Sequence, residues 1–491
     1  MSATGFVPHL IGGAAVPSRD DRRFETRDPH DGSLLAEVAA GGAADAEAAV
    51  AAARRAFDEG PWPRLAAAER RVLLNRFADL VDAHAEELAM LDVRDMGKPI
   101  REARAMDVPR VSRNLRFFAD YADLSGSEAY PSADRLSYVV HAPAGVVVAI
   151  SPWNFPAMQA SWKVAPALAF GNTVVLKPAE QSPLSAARLG ELALEAGLPA
   201  GVLNVVHGFG PDAAGEALTR HPGVDRITFT GETATGRAIM AAAAPNLTPV
   251  SFELGGKSAN VVFADCRLEE AVEGAIKAIY SNNGEVCIAG SRLLVQREVL
   301  DEFCERFVAA AGALRVGDPK DRATEVGPLV ERRHLEKVEG YVRLGLEEGG
   351  RLLAGGTRPP DPDLPAEGNY FLPTVLGGMD NSMRAVREEI FGPVQVVVPF
   401  DREDEALAIA NDSPYGLAGM VWTDDLDRAH RVAEAWRTGM VWVNCFFERD
   451  LRLPFGGERQ SGIGREGGAH SREFFTDPRA VVVKRRFPIR R

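Results

Sequence analysis

GVVVAI (145–150), NTVVLK (172–177), LNVVHG (203–208), RITFTG (226–231) and PVSFEL (249–254) decide the fold of this chain. Each run is short, rich in β-branched residues and almost continuously apolar, the composition of a strand buried on both faces rather than one. Helix-forming stretches separate them, at 185–196 and 233–242 among others. That alternation predicts a parallel sheet with right-handed crossovers. A second alternating series runs from Ala259 to about Val443, through RLLVQ, a helix at 298–313, PVQVVVPF, GLAGMVW and GMVWVN. The fold class is therefore α/β, with two such units in one chain. No short-period repeat or low-complexity linker divides them, so they are expected to pack tightly.

The flanks read differently. The N-terminal third reads as helices, beginning with an Ala-rich stretch at 45–59. Leu73, Phe77, Leu80, Val81, His84, Leu88 and Leu91 then recur at three- and four-residue steps, the mark of one amphipathic helix. Gly97 and Pro99 close it. Val108, Val111, Leu115 and Phe118 lie on one face of a further helix. Residues 125–143, SGSEAYPSADRLSYVVHAP, alternate only weakly and read as an extended excursion outside the core.

Composition narrows the classes of function. With 491 residues, a prior of one domain per ~150 allows two to four structural units. Hydrophobic residues at 46% and charged residues at 25% exclude a largely disordered chain. The four cysteines, Cys266, Cys287, Cys304 and Cys445, are too few and too irregularly spaced for a disulfide framework or a zinc site. They fit a reducing compartment. MSATGFVPHLIGG carries no basic segment leading into an apolar one, and no apolar run approaches the ~18 residues of a membrane helix, so a soluble cytoplasmic protein is expected. Lys and Arg number 56 against 69 Asp and Glu, a net charge of −13 that disfavours nucleic acid and anionic membranes. The short basic cluster Lys484-Arg485-Arg486 stands alone. An anionic substrate would need local positive groups.

Few residues carry chemistry. Cys287 lies in NNGEVCIAGSR, a polar segment between a helix ending near Tyr280 and a strand beginning near Arg292. It reads either as a nucleophile on a loop at a sheet edge or as a small buried apolar residue. Cys266 and Cys304 fall on helix-like stretches and read as packing residues; Cys445, in WVNCFFERD, is a weaker candidate. Glu253 ends an apolar strand, where desolvation raises a carboxyl toward general-base duty unless backbone amides satisfy it. Asn154 sits between two prolines in PWNFP (152–156), held either as a donor to an oxyanion or as a turn residue. FTGETATG joins a strand to a helix N-terminus that can receive a pyrophosphate, although it is not the GxGxxG fingerprint. In KPAE, Lys177 and Glu180 share one turn and can bind ribose hydroxyls or simply each other.

Taken together, PWNFP, KPAE, FTGE, ELGGK, the Gly-x-x-Cys of NGEVC, EEIFGPV (388–394), PFGG (454–457) and SGIGRE (461–466) resemble, in order and spacing, the aldehyde dehydrogenase superfamily. The match covers essentially the whole chain. This resemblance implies a Rossmann-type NAD-binding domain (1–124 and 144–254), an α/β catalytic domain (255–462) and a small β oligomerisation arm (125–143 and 463–491), hence a homodimer or homotetramer. It implies NAD-dependent, non-acylating oxidation of an aldehyde to an acid. Cys287 would be the nucleophile, Glu253 the general base, and the Asn154 amide with the Cys287 backbone N–H the oxyanion hole. Ser151, Trp153, Gly231, Glu232 and Leu254 would contact NAD, Lys177 and Glu180 its adenine ribose, and Glu389 and Phe391 its nicotinamide ribose. No metal is implied. Two positions depart from the family pattern: Glu285 stands where Gln is common, and would disfavour a thiolate nearby if ionised, while Glu232 stands where Ser is common.

The C-terminal string NCFFERDLRLPFGGERQSGIGREGG and the VPR turn before RNLRFFADY are similar to the branch acting on 2-hydroxymuconic, 2-aminomuconic and 5-carboxymethyl-2-hydroxymuconic semialdehydes of aromatic-ring catabolism. That likeness implies that Arg110 and Arg449 grip a substrate carboxylate beside Phe455. The competing reading pairs these arginines with Asp107, Glu448 or Asp450, and Glu448 stands where an apolar residue is expected. Two other readings remain at this point, a general aliphatic or betaine-type aldehyde dehydrogenase and a non-catalytic protein that retains the fold.

Overall fold

A computed structural model describes residues 5–485; the first four residues of the N-terminal stretch, Arg486 of the basic cluster and the rest of the expected arm beyond 485 lie outside the described residues. The five apolar runs between 145 and 254 form Val146–Ile150, Thr173–Lys177, Leu203–Val205, Arg226–Thr230 and Val250–Glu253. They pair in parallel as the core of an eight-stranded sheet. Val146–Ile150 lies at its centre, with Thr173–Lys177 on one side and Arg226–Thr230 on the other. The strand order therefore reverses beside it, the place where open α/β sheets gather ligands.

The second series gives a seven-stranded sheet in the order Arg351–Ala354, Thr374–Gly377, Val394–Phe400, Arg292–Gln296, Ala259–Val262, Ala418–Trp422, Met440–Val443, parallel except at its first pair. Its inner strands are buried on both faces, which is why they read as continuous apolar runs, while the edge strands Arg351–Ala354 and Met440–Val443 are partly exposed. Helices Leu184–Glu195, Thr233–Ala243 and Leu300–Ala313 fall where the pattern places them.

Three features differ from the sequence reading. Among the described residues, 5–40 hold five short strands and no helix. His9–Ile11 and Ala14–Val16 extend the eight-stranded sheet, while Gly5–Val7, Leu34–Ala39 and Arg23–Arg27 form a small sheet of their own. At three to six residues each they carry too few alternations to register as strands. The helix expected over Leu73–Leu91 is two, Ala67–Ala83 and Ala85–Met96, broken at His84, which caps the end of one and the start of the other. Cys266 lies in the turn before helix Leu268–Tyr280 rather than on a helix.

The excursion at 125–143 carries Ala129–Pro131 and Arg135–Pro143, and the latter pairs along its length with Thr476–Lys484. Ahead of that C-terminal strand, Gly462–Ile463 pairs with Val250–Glu253, and Phe475 of helix Gly468–Phe475 joins the core of the first unit.

Candidate active site

Only residues 254–258 separate the end of Val250–Glu253 from the start of Ala259–Val262. The chain thus passes from the C-terminal edge of the first sheet straight to the N-terminal edge of the second, and loops from the two edges meet, Trp153 against Phe391 and Asn154 on Glu285. From the first sheet come the residues that follow four neighbouring parallel strands: Ser151, Trp153 and Asn154 after Val146–Ile150, Glu180 after Thr173–Lys177, Gly231 and Glu232 after Arg226–Thr230, and Leu254 after Glu253. The second sheet supplies loops that precede strands: Cys287 before Arg292–Gln296, and Glu389 and Phe391 before Val394–Phe400.

The link is built to be thin. A Cβ on Gly256 would stand 2.6 Å from the Cys287 carbonyl oxygen, and one on Gly255 would stand 2.1 Å from a Glu389 carboxylate oxygen. The Glu389 carboxylate occupies that notch and accepts from the Gly256 N–H at 2.9 Å. Burial pushes its pKa up to about 7. Cys287 is partly buried; burial pushes its thiol up to about 12, and the carboxylates of Glu389 and then Glu253 add to the shift. The free thiol is therefore protonated at neutral pH.

Asn154 is buried, and its side-chain Nδ2 donates to the Glu285 carbonyl at 2.8 Å. An amide nitrogen carries two hydrogens, so one remains for a further acceptor. Asn282, in the left-handed region, donates to both the Asn154 carbonyl (3.0 Å) and the Glu285 carbonyl (3.1 Å), tying the two loops together. Glu253 is 3% exposed, and neither carboxylate oxygen has a hydrogen-bond partner. Burial holds its pKa well above the usual carboxylate range and nearby Glu466 raises it further, while Lys163, Arg449 and Arg465 oppose the shift.

The concern about Glu285 is removed by its placement. Its buried carboxyl accepts from the Val330 N–H at 3.0 Å, burial raises its pKa well above the usual carboxylate range, and the acids that act on Cys287 are Glu389 and Glu253. His334 lies 3.7 Å from the same carboxyl and contacts the Phe391 carbonyl at 2.7 Å. Because a carbonyl only accepts, His334 Nε2 carries the hydrogen; burial lowers its pKa to about 4, so the ring is neutral. Phe391 itself has φ +62°, an uncommon conformation for a bulky residue, and packs edge-on against Trp153.

The arginines converge without protein partners. Arg449 stacks between Trp162 (4.7 Å) and Phe455 (3.9 Å), and its Nη2 is shut off from solvent with no hydrogen bond. Burial and the neighbouring Arg110 lower its pKa to about 10. The competing acids are engaged elsewhere or form no ion pair: Asp107 with buried Lys98, Asp450 with Arg452, and Glu448 only through its carbonyl, which accepts from Trp442 Nε1 at 2.9 Å. Among the described residues neither Arg110 nor Arg449 forms an ion pair.

Sequence reading missed Trp162, the Lys163–Glu466 pair (2.9 Å, both buried), His334 and Lys98, which lies 4.2 Å over the Phe155 ring. Lys163 had left a trace, as a lone cation in the apolar run SWKVAPALA. Residues for a dinucleotide are also present. At the strand-order reversal, Ser151 Oγ and Thr230 Oγ1 are buried with no partner, and Lys177 Nζ, 3.6 Å from Glu180, donates only to the Pro178 carbonyl.

Comparison with known proteins gives one consistent result. The aldehyde dehydrogenase family profile matches residues 16–481. The 2-hydroxymuconic semialdehyde dehydrogenase of Pseudomonas sp. (strain CF600) is 48% identical over 483 residues, covering 97% of this chain and 99% of that protein. The 5-carboxymethyl-2-hydroxymuconate semialdehyde dehydrogenase of Escherichia coli is 49% identical, covering 95% and 98%. The crystal structure of an indole-3-acetaldehyde dehydrogenase complexed with NAD+ superimposes with a TM-score of 0.95 at 45% identity, covering 99% and 97%.

The link makes a sharp expectation. Gly256→Ala places a methyl group 2.6 Å from the Cys287 carbonyl oxygen, so the Cys287 loop must move. Displacement of about 1 Å costs on the order of 100-fold in rate. Steady-state kcat should fall by that order while the thermal midpoint stays near wild type; an unchanged kcat would show that the close approach does not matter.

Proposed function

The chain belongs to the aldehyde dehydrogenase family, and from that premise we propose that it oxidises an anionic, muconic-type semialdehyde to its acid with NAD. The observation that carries the substrate reading is the pair Arg110 and Arg449, two guanidinium groups close enough to act on one another in an acidic protein and joined by no ion pair among the described residues. Burying an uncompensated cation is unfavourable unless a counter-ion completes the site. A substrate carboxylate supplies it, and the planar fork aligns that substrate. The names of the relatives agree with this choice.

In the proposed reaction Cys287 Sγ adds to the aldehyde carbon and its proton passes to Glu253. A thiol held near 12 needs such a base. The aldehyde oxygen becomes an oxyanion, which the free Asn154 Nδ2–H and the Cys287 backbone N–H stabilise. Bound NAD would supply the acceptor for the hydride lost as that oxyanion collapses, a step that converts the Cys287 adduct to a thioester. Glu253 releases that proton to solvent water and then deprotonates a second water, which attacks the thioester; the C–S bond breaks, the acid leaves, and the proton on Glu253 returns to the Cys287 sulfur. Lys177 and Glu180 would hold the adenine ribose, Ser151, Trp153, Gly231, Glu232 and Leu254 would line the dinucleotide path, and Glu389 and Phe391 the nicotinamide ribose. Water hydrolysis through Glu253 favours a free acid over transfer of the acyl group to a thiol carrier.

The arm suggests assembly. Val140, Val482, Val483 and Tyr130 are exposed apolar residues on a three-stranded sheet with open edges, the kind of edge that calls for pairing, and we read the protein as a homodimer or homotetramer. Among the described residues no helix is long and apolar enough to cross a membrane, and all four cysteines are free, which supports a cytoplasmic location.

Three outcomes test the reading. Glu253→Ala should slow thioester hydrolysis more than hydride transfer, so that mass spectrometry finds acyl adduct on Cys287; an unmodified protein turning over normally would contradict it. Arg110→Ala and Arg449→Ala should each lose about 10- to 150-fold in kcat/KM for a carboxylated semialdehyde, equivalent to ~1.5–3 kcal/mol for hydrogen bonds to charged groups, and little for hexanal. Equal losses on both substrates would assign the arginines a structural role. Because Glu180 would face a 2′-phosphate, kcat/KM with NAD should exceed that with NADP, and parity would displace Glu180 from the ribose.

A further inference from the structure

Glu285 is fully buried two residues before Cys287, and the reaction as proposed does not use its carboxyl. Its two ends do different things. The backbone carbonyl accepts from Asn154 Nδ2 at 2.8 Å and from Asn282 Nδ2 at 3.1 Å. The side chain reaches the opposite way and accepts from the Val330 N–H at 3.0 Å, just ahead of helix Arg332–Glu347. Gly284, immediately before it, packs so closely on the Gly392–Pro393 peptide that a Cβ would stand 2.3 Å from the Gly392 carbonyl carbon.

This residue therefore spans from the wall that carries Val330, His334 and Phe391 to the amide of Asn154. An amide nitrogen has two hydrogens in one plane, so fixing one on a carbonyl fixes the direction of the other. The peptide carbonyl of Glu285 is fixed in turn by the anchor of its own side chain, by the left-handed turn at Asn282 and Asn283, and by the Asn282 amide.

We propose that Glu285 is a positioning residue: its side-chain anchor on Val330 holds its carbonyl where that carbonyl aims the second N–H of Asn154 at the oxyanion formed beside Cys287. The inference rests on the reading of Asn154 as the oxyanion donor. An uncharged carboxyl suffices for the anchor, since it needs only an acceptor for the Val330 N–H. The charged neighbours are Lys98, which is paired with Asp107, and Glu331, while His334 is neutral.

A double-mutant cycle on the full-length enzyme tests it, with kcat and the KM for NAD as readouts. Glu285→Ala should lower kcat about 100-fold, the order expected when a catalytic group is misplaced by ~1 Å, and leave the KM for NAD unchanged. Glu285→Gln, whose amide oxygen accepts the same N–H, should restore most of that loss. In an Asn154→Ala background, Glu285→Ala should cost less than about threefold more, because residues acting as one unit are not additive. If the two losses multiply, or if Gln fails to rescue, Glu285 does not act through Asn154 and the inference falls while the oxyanion reading stands. Should Asn154→Ala alone leave kcat intact, the oxyanion reading falls and takes this inference with it. Where Glu285→Ala does not fold, Glu285→Asp, one methylene too short to reach Val330, takes its place in the same cycle and is read against the same outcomes.

Discussion

Residues 254–258 impose the constraint on which the rest depends. A chain of five residues spans at most about 18 Å even when fully extended, so the sheet ending at Glu253 and the sheet beginning at Ala259 have no freedom to separate. Two glycines thin the link to backbone, which lets the Cys287 carbonyl and the Glu389 carboxylate close in on it from the second sheet. The C-terminal edge of a parallel sheet is the usual place for ligands. Here it is completed by the N-terminal edge of another sheet, and the loop that carries Cys287 precedes its strand instead of following one.

Electrostatics then distinguish this cleft from an ordinary domain boundary. Buried ionisable pairs exist in this protein, Lys98 with Asp107 and Lys163 with Glu466 beside Glu253, and Asp92 is buried with no hydrogen bond to either oxygen. At the site Glu253 has no hydrogen bond, and Arg449 is stacked between two aromatic rings with no ion pair. Such groups are unfavourable to fold around, and those at the site are ones a ligand can complete. The sign of the arrangement matters, because a net charge of −13 repels an anion until it reaches these arginines.

Much of this was legible in the sequence, for identifiable reasons. Strands buried on both faces are apolar at every position, so Val146–Ile150 and Val394–Phe400 stand out without any alternation to count. Asn154, Glu253 and Cys287 stand out because each is a polar or reactive group punctuating an apolar or glycine-rich segment. Short strands such as His9–Ile11 left no such mark, since three residues cannot display a period. His334 and Lys98 gave no signal either; their positions matter only through Phe391 and Phe155, which lie far away in the chain. Nor could the sequence show that Asp107, Glu448 and Asp450 leave the two arginines unpaired, a fact that depends on side-chain directions rather than on spacing.

The central claim is that uncompensated positive charge in the cleft selects an anionic substrate. Competitive inhibition of aldehyde oxidation by cis,cis-muconate, compared with its dimethyl ester, tests it most directly, because the two share a carbon skeleton and differ in charge. Muconate should compete with the aldehyde and bind at least about tenfold more tightly than the ester, a difference of ~1.4 kcal/mol, with the advantage shrinking as salt is raised. Equal inhibition constants for the acid and the ester, unaffected by salt, would contradict it.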